Sequence, residues 1–316
     1  MMDINNEILK LDWKREPYGL YAPIEYTLAA GGKRVRPQLA MIACQMFGGK
    51  DEDVLPAALA LEVFHNFTLL HDDVMDKADV RRGRPTVHVK WNENTAILSG
   101  DQMLIEAYKL LSGVPADKLP KVLQLFNKMA TEICEGQQYD VDFESQENVT
   151  VDDYLKMIRL KTSVLLANAL QTGAYIAGAD EQAQEALYQF GINIGLAFQI
   201  QDDILDVWGD PKTFGKAVGG DISCNKKTFV YLEAMRRLGD ESSKELHYWY
   251  NQILEDNTEK IATVKGIFEA LGVRAACENV VEEYTQSALE LLKDLPQNEA
   301  TEQLRQLADK LNTRNS

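Results

Sequence analysis

The chain has 316 residues, 45% hydrophobic and 26% charged, which is ample apolar material for a large buried core in one or two domains and excludes a disordered tail protein. Lys and Arg total 33 against 49 Asp and Glu, and a formal net charge of −16 argues against nucleic acid or an anionic membrane surface as the main partner. Any anionic ligand must meet a local basic cluster or metal ions.

In chain order, the N-terminal MMDINNEILKLDWKRE is mixed and charged, with no apolar segment of the secretory kind, so no secretion signal is expected. Breaks are expected at AAGGKRVRP (29–37), at RRGRP (81–85) and over 209–228, which holds Pro211, Gly215, Gly219 and Gly220; each also carries basic residues. No proline falls between Pro120 and Pro211 or between Pro211 and Pro296, leaving two long windows free of the strongest helix breaker. Apolar residues recur there at helical spacing, as at Leu155, Ile158, Leu165, Leu166, Ala169 and Leu170, and again at Val280, Tyr284, Ala288, Leu291 and Leu292. Asp152 and Asp153 suit a helix start, and Gly178 before Asp180-Glu suits a stop and a new start. The charge-free stretch from Thr162 to Ala179 is too polar for a membrane span and reads as one buried helix. Strict alternation is hard to find. The expected fold is all-α, roughly a dozen helices in a single domain over 1–316. The four cysteines form no CxxC pair and read as reduced thiols of a cytoplasmic protein.

Two acidic clusters stand out: Asp72-Asp73-Val-Met-Asp76 and Asp202-Asp203-Ile-Leu-Asp206, both DDxxD. On a helix the first and last aspartates of each stack one above the other, ~5.4 Å apart, where like charges repel. Apolar residues flank both clusters, so a solvated acidic face explains them poorly. Such carboxylates need a cation, and hard oxygen donors select Mg²⁺, with Mn²⁺ as the alternative. Mg²⁺ fills its octahedron with water and phosphate oxygens, which implies a phosphate ester or diphosphate as substrate.

The cations are placed to match. Lys33, Arg34 and Arg36 lie in the first break, Arg81, Arg82 and Arg84 just beyond the first cluster, and Lys216, Lys226 and Lys227 beyond the second. Arginine forks and lysine point charges both suit a diphosphate beside metal ions. His65, seven residues before Asp72 and on nearly the same helix face, reads either as a core histidine or as a contact to a second substrate near the metals.

Taken together, GGKRVRP (31–37), LLHDDVMD (69–76), RRGRP (81–85), GQQYD (136–140), Lys161-Thr162, FQIQDDILD (198–206) and GKAVGGDISCNKKT (215–228) resemble the trans-isoprenyl diphosphate synthases, the head-to-tail prenyltransferases. The resemblance covers nearly the whole chain. It implies an isoprenoid-synthase-type bundle of antiparallel helices around a deep central cavity, usually a homodimer, with isopentenyl diphosphate and an allylic diphosphate as substrates. It implies Asp72, Asp76 and Asp202 as Mg²⁺ ligands, with Asp73, Asp203 and Asp206 as further ligands or as partners that orient them, and three ions once substrate is bound. Arg81, Lys161, Lys216 and Lys226 would hold the allylic diphosphate, and Lys33, Arg36, His65 and Arg82 isopentenyl diphosphate. Thr162 and Gln199 would sit near the developing positive charge.

In such enzymes the positions four and five before the first motif floor the product cavity. Here they are Thr68 and Phe67, a pattern that resembles the twenty-carbon geranylgeranyl type more than the farnesyl type or a longer-chain synthase. On an ideal helix Phe67 points largely away from the aspartates, so ordinary packing stays open for it. A class I terpene cyclase would usually carry a different second motif, a non-catalytic partner subunit would generally lose one, and a metal buffer would show an EF-hand loop.

Overall fold

The computed structural model of the chain describes residues 2–210 and 218–312. The fold is all-α. In chain order its elements are α1 (Ile4–Leu9), α2 (Tyr18–Leu28), α3 (Val35–Met46), α4 (Asp51–Met75), a hairpin of β1 (Val80–Arg81) and β2 (Arg84–Pro85), α5 (Val87–Lys90), α6 (Glu93–Leu111), α7 (Leu119–Ser145), α8 (Val151–Ile158), a π turn (Arg159–Ser163), α9 (Val164–Ile176), α10 (Glu181–Trp208), α11 (Gly220–Ser223), α12 (Phe229–Ser242), α13 (Lys244–Tyr250), α14 (Thr258–Ala270), α15 (Val273–Leu291) and α16 (Glu299–Asn312).

The chain divides into two compact units: Met1–Asn127 with Asn168–Leu187 and Asn298–Ala300, and Lys128–Ala167 with Tyr188–Gln297 and Thr301–Ser316. In the first unit α4 packs against both α3 and α6. That position explains its composition, because Val54, Ala57, Ala58, Ala60, Leu61, Val63 and Phe64 are all buried and the small residues let both neighbours approach. α4 is long and apolar enough to cross a membrane, but 61% of its most apolar window is buried inside the protein, as in a core helix. In the second unit α12 packs against α8, α14 and α15 around Val230, Val264, Phe268 and Cys277, each 0% exposed.

Side-chain caps set several boundaries. Thr150 and Asp153 form a reciprocal capping box at the start of α8, and Asp180 accepts the Ala183 N–H at 2.8 Å at the start of α10. Two expectations change. The break at 29–37 is shorter than expected, because α3 starts at Val35 and takes Pro37 into its first turn, where a missing N–H costs nothing. The stretch from Thr162 is not one helix: Thr162 and Ser163 belong to the π turn, and α9 ends at Ile176. The RRGRP break is a hairpin whose corner residues, Arg82 and Gly83, both take positive φ, as a two-residue turn between twisted strands requires.

Candidate active site

In the first unit the last turn of α4 carries the first aspartate cluster, and its three carboxylates are unequal. Asp73 is buried and accepts the Arg81 Nε–H at 2.6 Å, while the same guanidinium lies 3.7 Å from Asp72. Burial raises the Asp73 pKa, against the pull of Arg81. Asp72 is partly exposed and Asp76 exposed, so these two carboxylates face outward one turn apart.

The GGKRVRP turn meets the hairpin beside this cluster, where Arg82 donates to the Gly31 carbonyl. Arg36 is partly buried and its Nε is buried without a hydrogen-bond partner. Burial, opposed by Glu62 and aided by Arg82, pushes its pKa down to about 10. His65 is held well below the usual histidine range by burial and then by Arg36, Arg82, Arg81 and Arg34, so it is neutral at physiological pH. Lys33 is exposed. A cleft beside these groups is lined by Tyr26, Asn66, Asp73, Arg81, Arg82 and Arg84. Cations thus gather near one neutral imidazole and along the adjoining cleft, chemistry that suits a polyanion.

Arg34 departs from its neighbours. Its side chain is buried, pairs with Glu62 at 2.6 Å and donates to the Leu28 carbonyl at 2.6 Å, so it fastens the turn to α4 rather than facing a ligand. Phe67 packs tilted against Phe64 and edge-on against His71, with ring centroids 5.4 and 4.9 Å away, and Thr68 donates back to the His65 carbonyl at 2.8 Å.

In the second unit the second cluster sits near the end of α10. Asp203 is buried, accepting from the Tyr154 hydroxyl at 2.7 Å and the Phe229 N–H at 3.0 Å, and burial with Asp221 nearby holds its pKa well above the carboxylate range. Asp206, also buried, accepts the Asp221 N–H at 3.0 Å. Asp202 is partly exposed. The middle aspartate of this cluster, like Asp73 in the other, is thus engaged with protein groups, and the first aspartate of each is the more accessible.

Lys161 and Thr162 project from the π turn, and Lys161 pairs with Asp140 of GQQYD at 2.5 Å. The turn lies between two helices that come unusually close. A Cβ on Gly136 of α7 would stand 2.3 Å from the Lys161 N, and one on Gly195 of α10 would stand 2.5 Å from the Ser163 Oγ. Only glycine allows this spacing. Gln199, one turn beyond Gly195, is partly exposed. Lys226 is exposed, whereas Lys227 donates to the Phe143 and Gln146 carbonyls at 2.9 and 2.6 Å and so caps the C-terminus of α7. Lys216 lies outside the described residues.

Sequence reasoning missed Tyr154, Glu62 and the π turn. Tyr154 and Glu62 lie far along the chain from the groups they hold, and the π turn has no residue signature. Gly136 of GQQYD and Gly195 were the available signals for close packing there.

Residues 17–271 match the polyprenyl synthetase family. A geranylgeranyl diphosphate synthase of Methanosarcina mazei is 44% identical over 223 residues, 70% of this chain and 69% of the relative. A short chain isoprenyl diphosphate synthase of Methanocaldococcus jannaschii is 40% identical over 277 residues, 86% of this chain and 83% of that one. A solved geranylgeranyl pyrophosphate synthase superposes with a TM-score of 0.93 at 47% identity, covering 100% of both chains. Sequence match, fold and clustered charge agree: the chain belongs to the polyprenyl synthetase family, the prenyltransferases that build isoprenyl diphosphates.

Proposed function

We propose that the chain condenses isopentenyl diphosphate with an allylic diphosphate and releases geranylgeranyl diphosphate as its main product. The observation that carries the diphosphate reading is Arg36, whose buried Nε lacks an acceptor close to the charge of Arg82 and to a neutral His65. A diphosphate oxygen would complete that group, and the positive surroundings make a metal unnecessary there. Lys33, Arg36, His65 and Arg82 are assigned to isopentenyl diphosphate, and Arg81, Lys161, Lys216 and Lys226 to the allylic diphosphate.

The family works with Mg²⁺, and the donors fit it: Asp72, Asp76 and Asp202 offer accessible hard carboxylate oxygens, while Asp73, Asp203 and Asp206 hold the helix ends that present them. Three ions per site, with Mn²⁺ as substitute, are the expected complement. Once bound, they would draw charge from the leaving diphosphate so that the allylic C–O bond ionises.

Arg81, Lys161 and Lys226 would steady the same leaving group, and Thr162 and Gln199 would lie alongside the allylic cation. The double bond of isopentenyl diphosphate, oriented by its own basic pocket, attacks that cation, and a proton then passes to the released diphosphate. No side-chain nucleophile is needed.

The geranylgeranyl assignment draws on the relatives' products and on Phe67 as the cavity floor. The family match runs through both units, which supports one prenyltransferase domain over 1–316. An exposed apolar face on α6 supports a homodimer, and the unpaired thiols of Cys44, Cys134, Cys224 and Cys277 support the cytoplasm. The test is mass-spectrometric product analysis with isopentenyl diphosphate, Mg²⁺ and dimethylallyl, geranyl or farnesyl diphosphate in turn. A twenty-carbon product is expected. A fifteen-carbon or much longer product would overturn the length assignment, and no condensation with any primer would overturn the activity.

A further inference from the structure

Lys260 of α14 is 0% exposed, an unusual place for an ammonium. It donates to the Asn225 side-chain oxygen and, at 3.0 Å, to the Gln252 carbonyl; the Asn225 amide donates to the same carbonyl at 3.3 Å. The Tyr250 ring lies 6.0 Å away. Cys224 also lies near enough to act on its charge, and none of these partners is a carboxylate, so an apolar side chain would fill that space at lower desolvation cost. What the ammonium supplies is geometry. It grips Asn225, a residue in the left-handed region at φ 57°, and Asn225 immediately precedes Lys226.

The rest of this turn is pinned as well. The Lys226 N–H donates to the Asp221 carbonyl at 2.9 Å, Lys227 caps α7, and the Phe229 N–H donates to Asp203 at 3.0 Å. Lys226 is the exposed lysine among these anchored residues. We propose that Lys260 is a positioning residue, which acts through Asn225 to aim the Lys226 ammonium at the allylic diphosphate. This rests on the assignment of Lys226 made above.

The experiment compares Lys260→Met, Asn225→Gly, Lys226→Ala and the double variant Lys226→Ala/Lys260→Met in steady-state kinetics with each substrate varied, alongside thermal melts. Asn225→Gly keeps the left-handed backbone accessible and removes the acceptor for Lys260 together with the amide that donates to Gln252, so it serves if Lys260→Met fails to fold. Lys260→Met and Asn225→Gly should each raise the allylic KM about tenfold, the effect of one lost charge-assisted hydrogen bond. The KM for isopentenyl diphosphate should stay within about twofold, and the double variant should be no worse than Lys226→Ala. Equal rises for both substrates, additivity with Lys226→Ala, or a lower melting temperature with unchanged KM would overturn the proposal. An impaired Lys226→Ala beside unimpaired Lys260→Met and Asn225→Gly would overturn it while leaving the Lys226 assignment intact. An unaffected Lys226→Ala would overturn both.

Discussion

Burial first, and then the nearby charges of Arg36, Arg82, Arg81 and Arg34, decide how His65 titrates. Its folded pKa lies well below that of the unfolded chain, so the unfolded state binds a proton first as pH falls. Stability from this group is therefore complete above the ordinary histidine pKa, about 6.5, and is lost as pH drops below it toward the folded value. Replacing His65 with Gln should flatten the fall in melting temperature between about pH 7.5 and 5 relative to wild type. Comparing the two slopes isolates His65 from Asp73 and Asp203, whose raised pKa values act with the opposite sign. Parallel slopes would mean that His65 is not held neutral. Phe67 gives a second residue-level test. Its ring rests on Phe64 and His71, so removing it opens space beside both. Phe67→Ala should lengthen the main product by one or more five-carbon units in mass spectrometry; an unchanged product would return Phe67 to ordinary packing.

The π turn between α8 and α9 depends on helices that no local propensity specifies. Gly136 and Gly195 admit α7 and α10 to its backbone, and the widened turn sets where Lys161 and Thr162 emerge. A methyl group at 195 must displace Ser163, so Gly195→Ala should cost about 1–3 kcal/mol by overpacking. The turnover rate should fall with it, because the shift passes to Thr162. Chemical denaturation and single-substrate kinetics read the two effects, and wild-type values in both would show that the helices separate freely. The contrast with other elements explains what a sequence can reveal. The α8 capping box and the start of α10 were legible because each is closed by residues a few positions apart. The aspartate and arginine motifs were legible because their chemistry lies in the residues themselves. The π turn was not, since it needs one extra residue accommodated by glycines on distant helices. Nor could the sequence separate Arg34 from Arg36: Glu62, on another helix, neutralises the first, while the second keeps an unpartnered Nε.

At the scale of the molecule, an excess of acid over base leaves most of the surface unsuited to a diphosphate and makes the few basic turns selective. The same solvated surface makes an uncovered apolar face costly, and α6 carries one. Ile97, Leu98, Ile105 and Tyr108 are 44%, 58%, 53% and 38% exposed. At about 100° per residue they fall within one arc of the helix, which also holds Asp101, 3.9 Å from His71. A two-fold contact would set this face against its own copy and remove four large side chains from water at once. Ile105→Glu places a charge within that face without touching the residues assigned to either substrate. Wild-type protein should elute in light-scattering chromatography near twice the 35.6 kDa of one chain, and Ile105→Glu near a single chain with its helical signal preserved. A dimeric Ile105→Glu would move the interface elsewhere, and a monomeric wild type would remove the dimer. The same fractions assayed for condensation then separate assembly from chemistry, because both aspartate clusters and the basic turns belong to each chain. A monomer that loses turnover but keeps its melting temperature would tie the order of the α4 end to the face α6 presents, since His71 of α4 reaches the Ile97 carbonyl at 3.1 Å and Phe67 packs on His71.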